Sequence, residues 1–157
     1  PSVPGRIPEG DALTDLVLPV FELNGEFLAA AAMITAPHEL TPARWQVLGA
    51  VLDAPLPVPE IARRIGLGLT RQSVQRVAND VVAQGWAIWQ PNPARRGQNL
   101  LNLTERGRDA VHALADEQHA WANAVGRAVG AEDLKALRSL ISRVTEASRN
   151  YRQNPAQ

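Results

Sequence analysis

The chain has 157 residues and a formal net charge of zero, because 16 lysines and arginines balance 16 aspartates and glutamates. With 45% hydrophobic and 20% charged residues, it can bury a core and is not globally disordered. The absence of cysteine excludes a disulfide scaffold, a thiol redox switch, a cysteine nucleophile and cysteine-ligated metal sites. No uninterrupted apolar run approaches about 18 residues, so the sequence predicts no membrane span.

The charges are distributed unevenly along the chain. Residues 1–60 hold two arginines and eight acids, a net charge of −6, whereas residues 61–108 hold eight arginines and two acids, a net charge of +6. Residues 109–157 hold six charges of each sign. Because nucleic-acid-binding proteins cluster their cations, the central block indicates a nucleic-acid partner that the total charge conceals.

The first predicted element is a long helix. Residues 1–10, with three prolines and two glycines, predict a flexible arm. From Asp11 to Ile34 apolar residues recur every three or four positions, which predicts a helix. Pro19 should kink this helix or mark a later start, because proline removes a backbone donor.

Three shorter helices are predicted next. Thr41 should cap the first, which begins at Pro42 and carries apolar residues through Leu52. The second covers Val58–Ile65 and should end at Gly66. After a glycine-containing turn, Thr70 should cap the third helix, Arg71–Gln84. Two short helices joined by such a turn predict a helix-turn-helix.

A β-hairpin is predicted after the helix-turn-helix. Trp86–Gln90 alternates bulky and small residues with strand propensity, and Leu100–Leu103 is its predicted partner. The segment between them is polar and rich in turn residues, and it contains Arg95 and Arg96. A hairpin with a basic tip at this place in the chain is typical of a wing.

Two long amphipathic helices close the chain: Thr104 should cap one through about Val129, and Ala131 should begin another that ends near Arg152. Together with the first helix they are too long and apolar to be covered by the winged core. They either fold back as a bundle or meet a second copy, and a dimer is favoured because two-fold dimers are the commonest oligomers. The predicted fold class is mainly α, with a flexible arm (1–10), a helical dimerisation region (11–38 and 109–157) and a winged helix-turn-helix domain (39–108).

An ordered set of segments resembles the multiple antibiotic resistance regulator (MarR) family. These segments, in chain order, are Leu40–Leu48, Ile65–Arg76, Asp80–Trp86, Asn92–Arg96 and Leu103–Arg108. They occur in the family's order and spacing, and the resemblance covers roughly residues 12–152. It implies a cytoplasmic, homodimeric transcriptional regulator that has no enzymatic activity and that, in the family's usual mode, represses transcription.

The wing departs from the family's pattern. Members commonly carry an Asp followed by Arg there, and the acid helps to brace the tip. Counting back from Leu103 and Thr104 puts Arg95 at the Asp position, Arg96 at the first Arg position and Gly97 at a second one. The departure leaves the brace open, and it predicts an added phosphate contact from Arg95.

The predicted recognition helix, Arg71–Gln84, separates an apolar side from a polar side near its N-terminal half. Glutamine pairs with adenine and arginine with guanine in the major groove, and hydroxyls and helical amides suit phosphates. The wing arginines are expected in the minor groove or on its backbone. The alternative is a merely solvated helix face and a polar hairpin. The predicted DNA-binding residues are Thr70, Arg71, Gln72, Ser73, Gln75, Arg76, Arg95 and Arg96.

The resemblance also implies a small aromatic or phenolic effector, bound near the connector between the first two helices. The candidate lining residues are Phe21, Phe27, Met33, His38 and Trp45, for which ordinary core packing is the alternative. His112 and His119 lie seven residues apart on one helix face, but without an acidic ligand set they predict no metal site. No cofactor is expected.

Two other function classes are less consistent with the residues. A winged helix used only as a protein-interaction module would present an apolar face with few outward cations, and the predicted face is polar and basic. The sequence contains no cysteine nucleophile, no serine nucleophile elbow, no paired-carboxylate motif and no phosphate loop, so an enzyme is disfavoured. The sequence therefore predicts a dimeric, ligand-responsive regulator that binds a pseudo-palindromic operator.

Overall fold

The computed structural model describes residues 5–65 and 70–155 of the chain. Within these ranges the chain is mainly helical with one two-stranded sheet, which confirms the predicted fold class. The elements are α1 (Pro8–Thr35), α2 (Pro42–Ala50), α3 (Val58–Ile65), α4 (Arg71–Ala83), β1 (Ala87–Pro91), β2 (Asn99–Leu103), α5 (Glu105–Ala113), α6 (Ala115–Val129) and α7 (Ala131–Gln153). The predicted helix stop at Gly66 and the turn after it lie outside the described residues.

The elements form two compact units, one that ends at Ala115 and one that begins at Asp116. In the first unit the core is formed by α2, α3, α4, the hairpin and the end of α5. Its fully buried side chains include Val47, Leu48, Ile61, Val74, Val81, Leu101 and Leu114. In the second unit, neither α6 nor α7 has a buried residue within the single chain.

Helix α1 begins earlier than the sequence predicts, so residues 8–10 are helical rather than part of a flexible arm. Pro8 occupies the first turn, where its missing N–H costs nothing, and Glu9 and Asp11 place acids at the positive end of the helix. Pro19 lies inside α1, which continues through it. The early start therefore follows from ordinary N-terminal signals that the neighbouring glycines obscured.

Helix α1 is long and apolar enough to cross a membrane by length and composition, with a mean hydropathy of 1.5 over an 18-residue window, although the sequence predicted no span. One such helix near the N-terminus is weak evidence for a membrane span, because core helices of soluble proteins and signal sequences can have the same length and hydropathy. Only 6% of that window is buried. Glu22 and Glu26 lie in this part of α1, and carboxylates at such positions are costly in lipid. We do not treat α1 as a membrane span.

Three helices begin at threonines that act as N-caps, as the sequence predicts. Each hydroxyl oxygen accepts a hydrogen bond from the backbone N–H three residues ahead, which satisfies a donor that the helix leaves unpaired. The pairs are Thr41 with Arg44 at 3.2 Å, Thr70 with Ser73 at 3.0 Å, and Thr104 with Gly107 at 3.1 Å.

The hairpin strands are antiparallel, with Ala87 opposite Leu103 and Pro91 opposite Asn99. Each strand boundary lies within one residue of its prediction. Leu56, just before α3, pairs with the central residue Leu101 through two backbone hydrogen bonds of 3.2 and 2.8 Å. This extra pairing attaches the hairpin to the helix-turn-helix.

The junction between β1 and α5 is packed too closely for any side chain at Gly107. A Cβ there would lie 2.8 Å from the carbonyl carbon of Trp86 and closer still to its oxygen. That oxygen accepts a hydrogen bond from the backbone N–H of Thr104 at 3.1 Å, and the Thr104 hydroxyl donates to the carbonyl of Gly85 at 2.7 Å. The start of α5 is thereby attached directly to the base of the hairpin.

The prediction of one helix from Thr104 to about Val129 is wrong. Helix α5 ends at Ala113 and α6 begins at Ala115, because Leu114 adopts φ −88° and ψ −8° and its N–H donates to Val111 in a tight turn. The Leu114 side chain is fully buried. Packing of this one side chain in the core stabilises the turn, and the periodicity of apolar residues along a helix contains no information about such a contact.

Candidate nucleic-acid interface

Helix α4 has one buried side and one exposed side, as predicted. Val74, Ala78 and Val81 are buried in the core. The other side is exposed and polar, and it consists of Arg71, Gln72, Gln75, Arg76 and Asn79. The predicted base-contacting residues of α4 are thus exposed to solvent on successive turns of the same side of the helix.

The N-terminus of α4 is organised by two hydroxyls. Thr70 Oγ1 accepts from the backbone N–H of Ser73 and donates to Ser73 Oγ at 3.0 Å. Since Ser73 Oγ accepts in this pair, its own hydroxyl proton remains available to another acceptor. The arrangement suits an anion at the positive end of the helix, where phosphates bind in many proteins.

Two side-chain amides on α4 hold each other one turn apart. Gln75 Nε2 donates to Asn79 Oδ1 at 3.1 Å. The pair leaves an acceptor on Gln75 and a donor on Asn79, which are the groups that adenine requires in the major groove. Restricting the Gln75 rotamer before binding reduces the entropy that is lost when DNA is bound.

The wing tip is braced by uncharged groups. Asn92 Nδ2 donates to Gln98 Oε1 at 2.9 Å, and Asn92 Oδ1 accepts from the backbone N–H of Ala94 at 3.0 Å. The backbone N–H of Asn92 also donates to the Gln98 carbonyl at 3.1 Å. Two amides therefore supply the brace that the departure from the Asp-Arg pattern had left open.

The brace presents both wing arginines to solvent. Arg95 and Arg96 are exposed at the tip between Asn92 and Gln98. Gly97 follows them with φ +81°, a conformation that an arginine at this position would adopt only under strain. Glycine therefore closes the turn at the place where relatives often carry a second arginine.

A polar groove separates α4 from the hairpin, with a volume of about 350 Å³. Of the predicted DNA-binding residues, Arg71 and Gln75 line it, whereas Gln72 and Arg76 belong to the adjoining exposed surface of α4. The complete lining is Val58, Pro59, Arg71, Gln75, Asn79, Trp89, Gly97, Gln98 and Asn99. The sequence analysis had not assigned Trp89, Gln98 or Asn99 to the interface.

Arg44 anchors the back of α4, a role that the sequence analysis missed. Its Nε donates to Asp80 Oδ2 at 2.6 Å, and its Nη1 donates to the carbonyl of Glu39 at 3.3 Å. Its guanidinium carbon lies 5.6 Å from the ring centroid of Trp86, and that of Arg106 lies 5.9 Å from the same ring. The sequence feature that could have indicated this role is the position of Arg44 in the predominantly acidic first third of the chain.

A second cavity, of about 320 Å³, lies within the first unit beside this cluster. Its lining residues are His38, Glu39, Leu40, Trp86, Arg106, Asp109, Ala110 and Ala113. Of the five predicted effector-pocket residues, the cavity contains His38 alone. Among the residues that the structure describes, no group of three or more histidines or acids is placed to hold a metal ion.

The other four predicted pocket residues lie elsewhere. On α1, Phe21 is 60% exposed, Phe27 50% and Met33 62%. Trp45 is half-buried on α2. The described residues of one chain thus do not bring the predicted set together, because the side of α1 that carries the two phenylalanines has few neighbours in its own unit.

Comparison with known proteins identifies the family. A model of the MarR family matches residues 38–96, which include α2 to α4, β1 and most of the wing tip. An uncharacterized protein of Mycobacterium tuberculosis (strain H37Rv) is 42% identical over 137 residues, which cover 87% of this chain and 94% of that protein. The chain belongs to the MarR family.

Solved structures of MarR family proteins share the fold. Sco5413, a MarR family transcriptional regulator from Streptomyces coelicolor, aligns with a TM-score of 0.67 and 21% identity, covering 93% of this chain and 99% of that one. CouR from Rhodococcus jostii RHA1, bound to p-coumaroyl-CoA, aligns with a TM-score of 0.73 and 16% identity, covering 83% and 91%. This MarR family transcription regulator therefore has a DNA-binding winged helix. Helix α4 is the second helix of its helix-turn-helix, and β1 and β2 form its wing.

Proposed function

We propose that this MarR family chain is a homodimeric, sequence-specific repressor that binds a pseudo-palindromic operator and releases it in response to a small aromatic or phenolic effector. We further propose that it acts in the cytoplasm and catalyses no reaction. The observation that carries the DNA-binding part is the exposed polar face of α4 beside a braced wing with two exposed arginines, Arg95 and Arg96.

The roles of the residues follow from their chemistry. Arg71, Gln72, Gln75 and Arg76 contact base edges in the major groove, where arginine selects guanine and glutamine selects adenine. Thr70 and Ser73 bind a phosphate at the start of α4. Arg95 and Arg96 enter the minor groove or contact its backbone, where their charge adds affinity for any duplex.

Exposed apolar side chains support a homodimer. Helix α1, which has 28 residues, is covered by few residues of its own unit. Four of its apolar side chains are each at least 42% exposed: Leu13, Leu16, Val17 and Phe21. Helix α7 likewise exposes Leu137, Leu140, Ile141 and Val144. Soluble monomers rarely leave large contiguous apolar surfaces in water, and a second copy would cover both faces. Two recognition helices could then contact half-sites about 34 Å apart.

The cavity beside Trp86 supports a response to an effector. The lining combines apolar groups with the cation Arg106, which would bind the carboxylate of an aromatic acid, and with the carboxylates of Glu39 and Asp109, which would accept a hydrogen bond from a phenolic hydroxyl. CouR has been solved with p-coumaroyl-CoA bound. The Trp86 ring also contacts Arg44, which in turn binds Asp80 on α4. An effector that displaces the Trp86 ring would favour a second position of α4. If the effector binds one position of α4 more tightly than the other, its binding shifts α4 between the two and thereby couples the effector site to the DNA-binding site.

A protein-interaction module without DNA sequence recognition has less support. Such an interface would need an apolar surface on α4 or the wing. The outward residues of α4 are arginines and amides, and the wing tip carries Arg95 and Arg96. Protein interfaces are depleted of charge at their centres, so this surface does not fit one.

Selection of bound duplexes from a random pool, followed by titration of the selected duplex, tests the function. The selected sequences should form a pseudo-palindrome. Arg76→Ala should weaken binding to the selected duplex by about 1–3 kcal/mol for each half-site and relax the preference at one base position in each half-site. An equal loss on selected and random duplexes would contradict base recognition by Arg76.

Arg96→Ala should behave differently, because a minor-groove or phosphate contact acts on any sequence. Binding to selected and random duplexes should weaken alike, and the slope of log Kd against log salt should fall by about 1.8, which is about 0.9 for each of the two subunits. Lys135→Ala is the matched control, since it removes one cation from α7 of the second unit. A salt slope unchanged in Arg96→Ala, or changed equally in Lys135→Ala, would refute a specific contact by the wing.

The effector part is tested by adding p-coumaric acid or p-coumaroyl-CoA to the protein–duplex complex. Release of the duplex by either compound in the wild type, and a weaker release in Arg106→Gln, are the expected results. Arg106→Gln should bind duplex without the compound as the wild type does. If neither compound binds the protein or releases the duplex, the proposed effector class is wrong.

A further inference from the structure

One face of the hairpin continues beyond the core into the groove beside α4. Side chains alternate between the two faces of a strand, so Ala87, Trp89, Leu101 and Leu103 share a face with Asn99. Ala87 and Leu103 at the base of the hairpin and Leu101 at the centre of β2 are buried. Trp89 is half-buried and Asn99 is exposed, and both line the groove.

The opposite wall of the groove is a row of polar residues on α4. Arg71, Gln75 and Asn79 are spaced at four-residue intervals, which places them one above another on the helix. Among the residues that the structure describes, the lining has one cation, four amide side chains, the indole and three small or apolar residues (Val58, Pro59 and Gly97), and no carboxylate. Such a surface offers many hydrogen-bond donors and no negative charge, and it therefore favours an anionic polymer over a cationic or apolar partner.

The position of the groove defines which part of the DNA reaches it. When α4 lies in the major groove and the wing tip in the adjacent minor groove, one strand of the duplex passes between them. We propose that the groove binds the sugar-phosphate backbone of this strand, with Trp89, Gln98 and Asn99 as contacts from the hairpin. The proposal rests on the proposed DNA-binding function and adds three residues to it.

Each of the three side chains has a donor for a phosphate oxygen. Gln98 uses its Oε1 to accept from Asn92, so its NH₂ group remains as a donor. Asn99 contributes a second amide. The Trp89 indole N–H is a donor only, and its ring offers a flat apolar surface to a deoxyribose. All three are uncharged, so they add affinity for any duplex without adding to its salt dependence.

The decisive experiment compares two substitutions that change the charge equally on opposite faces of the hairpin. Asn99→Asp places a carboxylate in the groove. Gln90→Glu places one on the other face, where it still accepts the hydrogen bond that Asn102 Nδ2 donates at 3.1 Å. Affinities of the full-length protein for the selected duplex and a random duplex are measured for both variants and the wild type.

Asn99→Asp should weaken binding to both duplexes at least about tenfold, because the repulsion between two like charges about 4 Å apart lies between about fivefold in bulk water and several hundredfold near a protein surface. Gln90→Glu should weaken binding less than Asn99→Asp does, because its carboxylate lies on the opposite face of the hairpin and salt screens a charge more strongly as its distance from the duplex increases. Equal effects of the two variants would overturn the proposal. Failure of the wild type to bind any duplex would instead overturn the proposed function.

Neutral variants separate a contact from a structural role. Asn99→Ala and Trp89→Phe should each weaken binding to both duplexes about three- to tenfold and leave the salt slope unchanged, whereas Arg96→Ala reduces that slope. Circular dichroism and the melting temperature establish that each variant is folded. A folded Trp89→Phe and a folded Asn99→Ala that both bind as tightly as the wild type would refute the assignment.

Discussion

Replacing Gly107 with alanine tests whether the contact between α5 and the hairpin maintains the fold of the winged helix. The new Cβ would lie 2.8 Å from the carbonyl carbon of Trp86 and 3.2 Å from its Cα. Both groups are backbone atoms, so no side-chain rotation relieves the contact. The start of α5 and the base of β1 must therefore separate.

The cost can be estimated from what the separation breaks. Overpacking a rigid site costs about 1–3 kcal/mol. Moving Trp86 away also weakens the 3.1 Å hydrogen bond from Thr104 to its carbonyl, and leaving such a group unpaired costs about 1–3 kcal/mol more. We expect Gly107→Ala to lower the free energy of unfolding by about 2–6 kcal/mol, which places it among the severe single substitutions.

Urea denaturation measures the change, with Gly49→Ala as the control. Gly49 lies in α2 of the same unit, and a Cβ there meets nothing within 4 Å. Alanine should be neutral at Gly49 or stabilise α2 by up to about 1 kcal/mol, because it has the higher helix propensity. Equal stability of Gly107→Ala and the wild type would refute the reasoning, since it would mean that α5 does not pack against Trp86 as described.

Three further predictions concern the cluster around Arg44, the wing and the cap of α4. In a double-mutant cycle, Arg44→Ala and Asp80→Ala should show a coupling of about 1 kcal/mol in urea denaturation, and additive effects would contradict an interaction across the 2.6 Å contact. Asn92→Ala should loosen the wing tip, so the loss of affinity caused by Arg96→Ala should be smaller in that background; an unchanged loss would show that the brace does not orient the arginine. Thr70→Ala should destabilise the protein by about 1 kcal/mol through loss of the N-cap and also weaken duplex binding, and a thermal denaturation curve identical to that of the wild type would contradict the capping role.

The features that the sequence predicted correctly depend on residues close together in the chain. The three threonine caps act over three residues, α3 has its predicted bounds, and the hairpin strands are displaced by one residue at most. The exposed row on α4 also follows from helical periodicity alone. In each case, side chain and backbone interact within about one turn or one strand pair, so the pattern of residue types contains the necessary information.

The errors and omissions concern contacts between distant residues. Arg44 and Asp80 are 36 positions apart, and neither residue type predicts the other. The turn at Leu114 depends on burial of one side chain in the core, which competes with a helix that local periodicity favours. The predicted effector-pocket residues Phe21 and Phe27 came from the family resemblance and stay a prediction. The cavity found within the first unit is lined by residues of the connector, by Trp86 before β1 and by α5.

Local chemistry along the chain was sufficient for the fold class, the family resemblance and the cationic block that first indicated DNA. Only the folded chain revealed that Asn92 and Gln98 brace the wing without a carboxylate, and that Trp89 and Asn99 face α4 across a groove. The physical reason is the range of the interactions. Caps and periodicity act within about one turn, whereas the groove forms only when the hairpin is attached to α5 at Gly107 and to the segment before α3 at Leu56.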